Sequence, residues 1–338
     1  MAKGIYTAIG GLTKKVKKAY AVVGGKTRKI KKIYTVVGGK TRLSWANSVF
    51  PAKVIVTGRN GTLLTSDDGE TWEQINHNLG TSADLMCIAY GNGKFIAGNG
   101  TDIVESSNGG TTWSTTLSDA GSYFSACTFH NGTFHFAKIG KSSSTDGKIY
   151  SKASGATTWS SDTLSGSKDA TFYDFRACND VFLLGSDLGE YIHYKYINST
   201  LDWNRMAIGV GEARTASYGA GKYLITGSHR MYYNLSFSIN GANWTTLNIT
   251  GGTSCVYAQD KFVLVSSNGL TRYSTDGVTW NNGNGLDSSK WYKRIEYIYD
   301  RFITVGTNGA LAYSLDGINW TQVNTGITNE LTGVAIAI

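Results

Sequence analysis

Ser274-Thr275-Asp276-Gly277-Val278-Thr279-Trp280 recurs as Ser314-Leu315-Asp316-Gly317-Ile318-Asn319-Trp320 and, earlier, as Ser66-Asp67-Asp68-Gly69-Glu70-Thr71-Trp72. Ser238-Ile239-Asn240-Gly241-Ala242-Asn243-Trp244 carries Asn for Asp, and Ser106-Ser107-Asn108-Gly109-Gly110-Thr111-Thr112-Trp113 has one residue more. Degenerate copies end at Trp159 and Trp203. The seven tryptophans are separated by 41, 46, 44, 41, 36 and 40 residues. A period near 40, filled with short strand-like runs, is the mark of four-stranded propeller blades. Leucine-rich and helical repeats would need helix-period stretches, and the chain has none. Seven copies predict an all-β fold, a seven-bladed β-propeller over residues 49–338.

Working outward from the repeat, each period reads as the same four strands. One apolar run ends at a turn, as Cys87-Ile88-Ala89-Tyr90 does before Asn92-Gly93. A second follows at once, such as Lys222-Tyr223-Leu224-Ile225 or Arg301-Phe302-Ile303-Thr304-Val305. Next come Asn60-Gly61, Asn99-Gly100, Asn268-Gly269 or Asn308-Gly309, pairs suited to type I′ hairpins because both central residues need positive φ. The third strand runs into the Ser-x-Asp-Gly turn, and the fourth starts near the Trp. The first repeat lacks its leading strand, since Lys53-Val54-Ile55-Val56-Thr57 is already a second one. The orphan run Gly333-Val334-Ala335-Ile336-Ala337-Ile338 is predicted to supply it, closing the ring without an open edge.

Charge divides the chain differently. Residues 1–48 hold twelve Lys and Arg and no Asp or Glu, whereas residues 49–338 hold 20 basic and 24 acidic side chains, a net −4. The segments therefore read as separate units, a basic arm over 1–48 and a propeller that should avoid polyanions. No run approaches a membrane span, and no apolar h-region follows the basic N-terminus. Synthesis in a cytoplasm, with no membrane partner, is the expectation. Cys87, Cys127, Cys178 and Cys255 form no CxxC pair or zinc-type cluster, which predicts buried free thiols, no disulfides and no metal.

The Ser-x-Asp-Gly turns resemble the Asp-box (BNR) repeats of sialidase-like propellers, and also the related repeats of photosystem assembly factors, over about residues 50–330. In such a turn a short polar side chain accepts backbone N–H bonds, Gly supplies positive φ, and Trp packs between blades. Asp68, Asp276 and Asp316 are accordingly read as structural, on the face away from any ligand. The resemblance does not extend to sialidase chemistry. The family's Phe-Arg-Ile-Pro motif is echoed only by Asp174-Phe175-Arg176-Ala177, without the proline and in mid-ring. A non-enzyme is the reading, with no catalytic residue and no cofactor. The alternatives kept open are a sialidase-like glycan-cleaving enzyme, which predicts arginines and carboxylates clustered at the central channel, and a non-binding decoration or assembly protein.

His77, His130, His135, His193 and His229 show no metal-binding or catalytic spacing and are expected in turns or at the surface. A ligand should meet the face built from the loops between blades and the second-to-third-strand turns. The longer loops there are Lys138–Lys148, Thr163–Tyr173 and Gly283–Lys293. Trp291 and its neighbour Tyr292 are the candidate sugar-stacking residues, with Tyr123, Arg59, His229 and Arg230 on the same face. Packing of Trp291 against a neighbouring loop is the competing reading.

The arm has a period of 14. Tyr6, Tyr20 and Tyr34 recur in register with paired glycines at 10–11, 24–25 and 38–39, and Lys17, Lys18, Lys31, Lys32, Arg28 and Arg42 recur around them. Paired glycines beside β-branched residues favour hairpins, so a small antiparallel meander is predicted that needs partners to be stable. The pattern resembles the Tyr-x-x-Val-Gly-Gly-Lys-x-Arg repeats of virion proteins from phages of Gram-positive bacteria. That resemblance implies a virion location (fibre, collar or tail), attachment to other virion proteins through residues 1–48, and a homo-oligomer, with a trimer as the guess. It also implies a propeller presented to a host cell-surface glycan. Nucleic acid binding by the basic arm is the competing reading and is not the one preferred.

Overall fold

A computed structural model describes residues 53–337, apart from 141–144, 169, 188, 190, 201, 209–210, 230–231, 242, 248 and 250–251. It also describes the backbone of six strands within residues 6–46, and for Ser228, His229 and 232–234 again only the backbone. The chain divides into two compact units, Met1–Pro51 and Ala52–Ile338.

The larger unit is an all-β, seven-bladed propeller, with no helix among the described residues. Seven four-stranded antiparallel sheets follow one another along the chain. Their innermost strands are Leu331–Ile336, Leu85–Gly91, Phe124–His130, Phe172–Cys178, Glu212–Gly219, Ser254–Ala258 and Tyr292–Ile298, for blades 1 to 7. Blade 1 is closed from both ends of the unit: Val334 pairs with Val56, Ala335 with Ile55 and Ile336 with Val54. The C-terminal strand thus completes the first sheet, so that every blade has its four strands and only short outer edges remain.

The turns follow the local chemistry read from the sequence, with one exception. Asn60-Gly61, Asn268-Gly269 and Asn308-Gly309 have φ of 53° and 65°, 55° and 65°, and 52° and 64°. Asn99, by contrast, stays in its strand, and only Gly100 (φ 56°) turns left-handed. In the Ser-x-Asp-Gly turn of blade 6, Asp276 Oδ1 accepts the backbone N–H groups of Val278 (2.8 Å) and Thr279 (2.7 Å), while Ser274 Oγ accepts that of Gly277 (2.8 Å). Asp316 repeats this with Ile318 and Asn319 (2.9 and 2.8 Å). The backbone donors draw the carboxyls of Asp276 and Asp316 down to about 2; for Asp316 they overcome the opposing pull of burial. These aspartates are tied into their own turns, as the sequence implies.

Among the described residues, six apolar clusters fill six successive seams between blades. The seam of blades 1 and 2 buries Ile55, Leu63, Ile88, Phe95 and Trp113, and that of blades 6 and 7 buries Val263, Val265, Ile295, Phe302 and Trp320. A flat inner strand can offer one face to each neighbour, so the repeat Trp sits where two wedges meet. The seam of blades 7 and 1 adds a charged contact: Arg301, only 2% exposed, donates to Glu70 Oε1 at 2.9 Å and to Asp300 at 3.0 Å.

Two histidines depart from expectation, His193 fully and His135, which is half-buried, in part. His193 is 1% exposed in the third strand of blade 4, and His135 lies in the second strand of blade 3 with its Nδ1 2.8 Å from Ser151 Oγ. Alternation along a strand buried on both faces, which periodicity alone does not flag, puts these rings inside.

In the smaller unit, Tyr6–Ile9 pairs with Leu12–Lys15, Ala19–Val23 with Lys26–Ile30, and Lys32–Val37 with Lys40–Ala46. These are three separate two-stranded sheets rather than one meander. Tyr6, Tyr20 and Tyr34 stand opposite Lys15, Lys29 and Leu43. Arg28, Lys32 and Arg42 lie in these strands, of which only the backbone is described, while Lys17, Lys18, Lys31 and the glycine pairs lie outside the described residues.

Candidate functional site

The loop face of the ring holds a cavity of about 450 Å³ whose lining comes from all seven blades. Its wall includes three of the residues singled out in the sequence, Arg59, Tyr123 and Trp291. Each owes its place to an entry into or turn within a blade. Arg59 precedes the Asn60-Gly61 hairpin of blade 1, and its backbone N–H donates to Glu330 O at 2.9 Å. Tyr123 immediately precedes the innermost strand of blade 3 and is 58% exposed. Trp291 immediately precedes that of blade 7; its backbone N–H donates to Thr307 Oγ1 (3.1 Å) and its carbonyl accepts the Thr307 N–H (3.0 Å). Gly306 permits this approach, because a Cβ there would stand 1.9 Å from the Trp291 carbonyl oxygen.

Tyr292 is a correction. One step of strand alternation turns it away from the cavity, and it is wholly buried. Its hydroxyl donates to Gln322 Oε1 at 2.9 Å and its ring packs with Val263, Phe302 and Trp320. Arg230 lies outside the described residues, as does the side chain of His229.

Charges on the cavity wall come in opposed sets. Arg59 Nη1 donates to Asp84 Oδ2 at 3.1 Å, and its Nε lies 3.5 Å from Glu330 Oε2. Lys293 Nζ lies 2.7 Å from Glu330 Oε1 and 5.1 Å from the centre of the Trp291 ring. Arg214 bonds Glu212 and stacks on Tyr173, its guanidinium carbon 3.9 Å from the ring centre. Burial, with Glu212 beside it, pushes the Tyr173 hydroxyl up to about 12 against the pull of Arg214. Two wall residues, Ser125 and Trp291, keep a buried hydrogen-bonding atom (Oγ and Nε1) without a partner among the described residues.

The floor is a set of ion pairs that crosses the channel from blade 4 to blade 7. Asp174, 2% exposed, accepts from Arg176 Nε at 2.7 Å, from Arg294 Nη1, from Thr215 Oγ1 and from its neighbour's backbone N–H at 2.9 Å. Arg176 Nη1 donates to Glu296 Oε2 at 2.8 Å, and Arg294 Nε lies 3.3 Å from Glu296 Oε1. Burial alone would raise the Asp174 carboxyl, yet Arg176, Arg294 and Thr215 outweigh it and hold it below the usual carboxylate range. Burial would likewise lower Arg176, but Asp174 and Glu296 raise it. Both groups are therefore permanently ionised near neutral pH. Arg176 and Glu296 also line a second cavity, of about 460 Å³, at the opposite mouth.

No sequence motif marks this floor. Asp174 and Arg176, like Arg294 and Glu296, sit two apart in an innermost strand and so share one face. That i, i+2 pairing of opposite charges within an innermost strand was the available signal. The clustered arginines and carboxylates are also what the glycan-cleaving alternative predicted for the channel. The four cysteines are buried and unpaired by disulfides, and burial pushes the Cys178 thiol up to about 12, which suits packing rather than nucleophilic attack. No group of three or more metal-ligating side chains occurs among the described residues.

No protein-family model matches the sequence, and neither does any curated protein. Solved structures do match in shape. YCF48 bound to D1 peptide superposes with a TM-score of 0.61 at 17% identity, covering 76% of this chain and 87% of that one. The WD40 β-propeller domain of Doa1 gives 0.55 at 11%, covering 81% and 90%. The nidogen/laminin complex gives 0.53 at 9%, covering 85% and 98%. At such identities the likeness concerns the fold.

Proposed function

We propose that this chain is a non-enzymatic recognition protein of a phage particle, with residues 1–48 as the attachment unit and the propeller's loop-face cavity as the binding site for a host-surface glycan. The observation that carries the binding half is the cavity itself: about 450 Å³, with Tyr123, Tyr173 and Trp291 on its wall beside hydrogen-bonding groups. Aromatic faces with polar neighbours in a concave site of a few hundred Å³ suit a sugar chain. The similar structures include YCF48 bound to D1 peptide and a nidogen/laminin complex, which supports recognition as a use of this fold.

The non-enzymatic reading is supported by the floor. A carboxyl that donates a proton to a leaving group needs a raised pKa, and Asp174 is displaced in the opposite direction. Arginines that clamp a substrate carboxylate need free donors, whereas Arg176 and Arg294 are engaged by Asp174 and Glu296. The virion half rests on the 14-residue basic repeat, its hairpins and its resemblance to phage structural proteins. The test is adsorption of the purified chain to host cell-wall polysaccharide, with the propeller present and deleted, alongside mass spectrometry of purified particles. Propeller-dependent adsorption without release of sugar is the expected result. Adsorption that is unchanged by deleting the propeller refutes the recognition role, and liberated reducing ends would establish the glycan-cleaving alternative.

A further inference from the structure

Among the described residues, every cation on the cavity wall is engaged by a carboxylate. Arg59 has Asp84 and Glu330, Lys293 has Glu330, Arg294 has Asp174 and Glu296, and Arg214 has Glu212. Asp174 and Glu296 are committed to the floor, where they hold blades 4 and 7 together. Asp84 and Glu330 differ. Asp84 lies in the loop that enters blade 2, Glu330 lies just before the closing strand of blade 1, and both carboxylates remain partly open to solvent, at 37% and 23%. Neither belongs to a Ser-x-Asp-Gly turn, and both line the cavity.

From this we infer that the cavity selects uncharged glycan, and that Asp84 and Glu330 are the specificity residues that reject anionic ligands by occupying Arg59 and Lys293. The inference rests on the glycan-recognition reading above. An incoming carboxylate or phosphate would have to displace a carboxylate already 2.7 to 3.1 Å from its cation, and would then face that displaced charge across the same cavity. Sugar hydroxyls meet no such penalty, because they can donate to the free lone pairs of the carboxylates and accept from the remaining guanidinium N–H groups. The aromatic wall adds contact area that does not depend on charge.

The discriminating experiment is a gain of function. The full chain, together with Glu330→Gln and Asp84→Asn variants, is titrated with two probes: neutral oligosaccharides from hydrolysed cell-wall polysaccharide, and glycerol-phosphate oligomers of teichoic-acid type. The parent should bind a neutral probe with an affinity that changes less than about twofold between about 50 mM and about 500 mM salt. Each variant should gain roughly two- to fivefold for the phosphate oligomer at low salt, the scale of one partly exposed ion pair. Thermal unfolding reports whether a variant has merely lost its fold, and having two variants on different loops keeps one interpretable. If the parent prefers the phosphate oligomer, with affinity collapsing in salt, the charge-selection inference is overturned while glycan recognition stands. If the parent binds neither probe, the recognition reading itself falls. Variants that keep the fold and gain nothing for phosphate remove the assigned role of Asp84 and Glu330.

Discussion

Replacing His193 by Leu should make the propeller more stable in mild acid while leaving it nearly unchanged above neutrality. His193 is 1% exposed, and neither ring nitrogen has a hydrogen-bond partner among the described residues. Its ring meets Phe172 edge-on at 5.9 Å. Burial, assisted by Arg205, depresses the imidazole from 6.5 to about 4. A histidine whose folded pKa is lowered takes up its proton earlier in the unfolded chain, so stability falls as the pH drops from 6.5 towards 4. At pH 8 the contribution is close to zero, at pH 5 it is a loss of about 2 kcal/mol, and the ceiling for this shift is about 3.4 kcal/mol. Leucine removes the titration, and the relief of two buried polar atoms without partners is offset by the repacking that a branched side chain of different shape demands. Denaturant unfolding at a series of pH values, for both proteins, gives the difference directly. The curves should coincide near pH 8 and separate by about 2 kcal/mol at pH 5. Parallel curves over that range would show that His193 is neither buried neutral nor responsible for acid sensitivity.

Two further outcomes follow from groups already described. Asp276→Ala should cost roughly 1–2 kcal/mol in urea unfolding, since it strips Val278 and Thr279 of their acceptor, whereas Asp276→Asn should retain most of the stability. Asn240 already accepts the Asn243 N–H at 3.0 Å in blade 5, and because Asp276 is depressed to about 2, its stabilisation should persist above pH 3.8 and vanish only as the pH falls through 2. Asp174→Ala should cost about 3–5 kcal/mol, read by thermal or denaturant unfolding, because it leaves Arg176 and Arg294 buried with an uncompensated charge.

What the sequence disclosed and what it concealed divide along a physical line. Local features were legible: the indole period counted the blades, Asn-Gly pairs located hairpins, and the orphan strand ending in Ile336 found Val54 as its partner. The loop face could be named because alternating connections in a blade send specific turns to one side, and this was enough to place Arg59, Tyr123 and Trp291 on one wall. The side of a strand on which a residue falls was less secure. Tyr292 reads like Trp291 in sequence yet points into the core, and His193 reads as surface yet is buried, because strands within a blade are covered on both faces by the neighbouring blades. The channel floor was hidden for a different reason. Asp174 and Arg294 are 120 residues apart, and only closure of the ring brings them into contact.

That closure has a consequence for any account of function. Each blade supplies only a few side chains to the cavity, and no single blade carries a recognisable site. The geometry of the wall is therefore a property of the ring's diameter and of its last seam, where Glu330 holds Arg59 and Lys293 just before the closing strand. Residues that bind in such a site can be scattered over the whole chain without a motif, provided that the seven wedges fix their separation. Ion pairs across the floor reinforce this, since they tie blade 4 to blade 7 at the centre, where apolar packing between adjacent blades cannot reach. Charge in this channel is thus spent on holding the cavity's shape, and discrimination falls to the rim, where Asp84 and Glu330 remain open to a ligand.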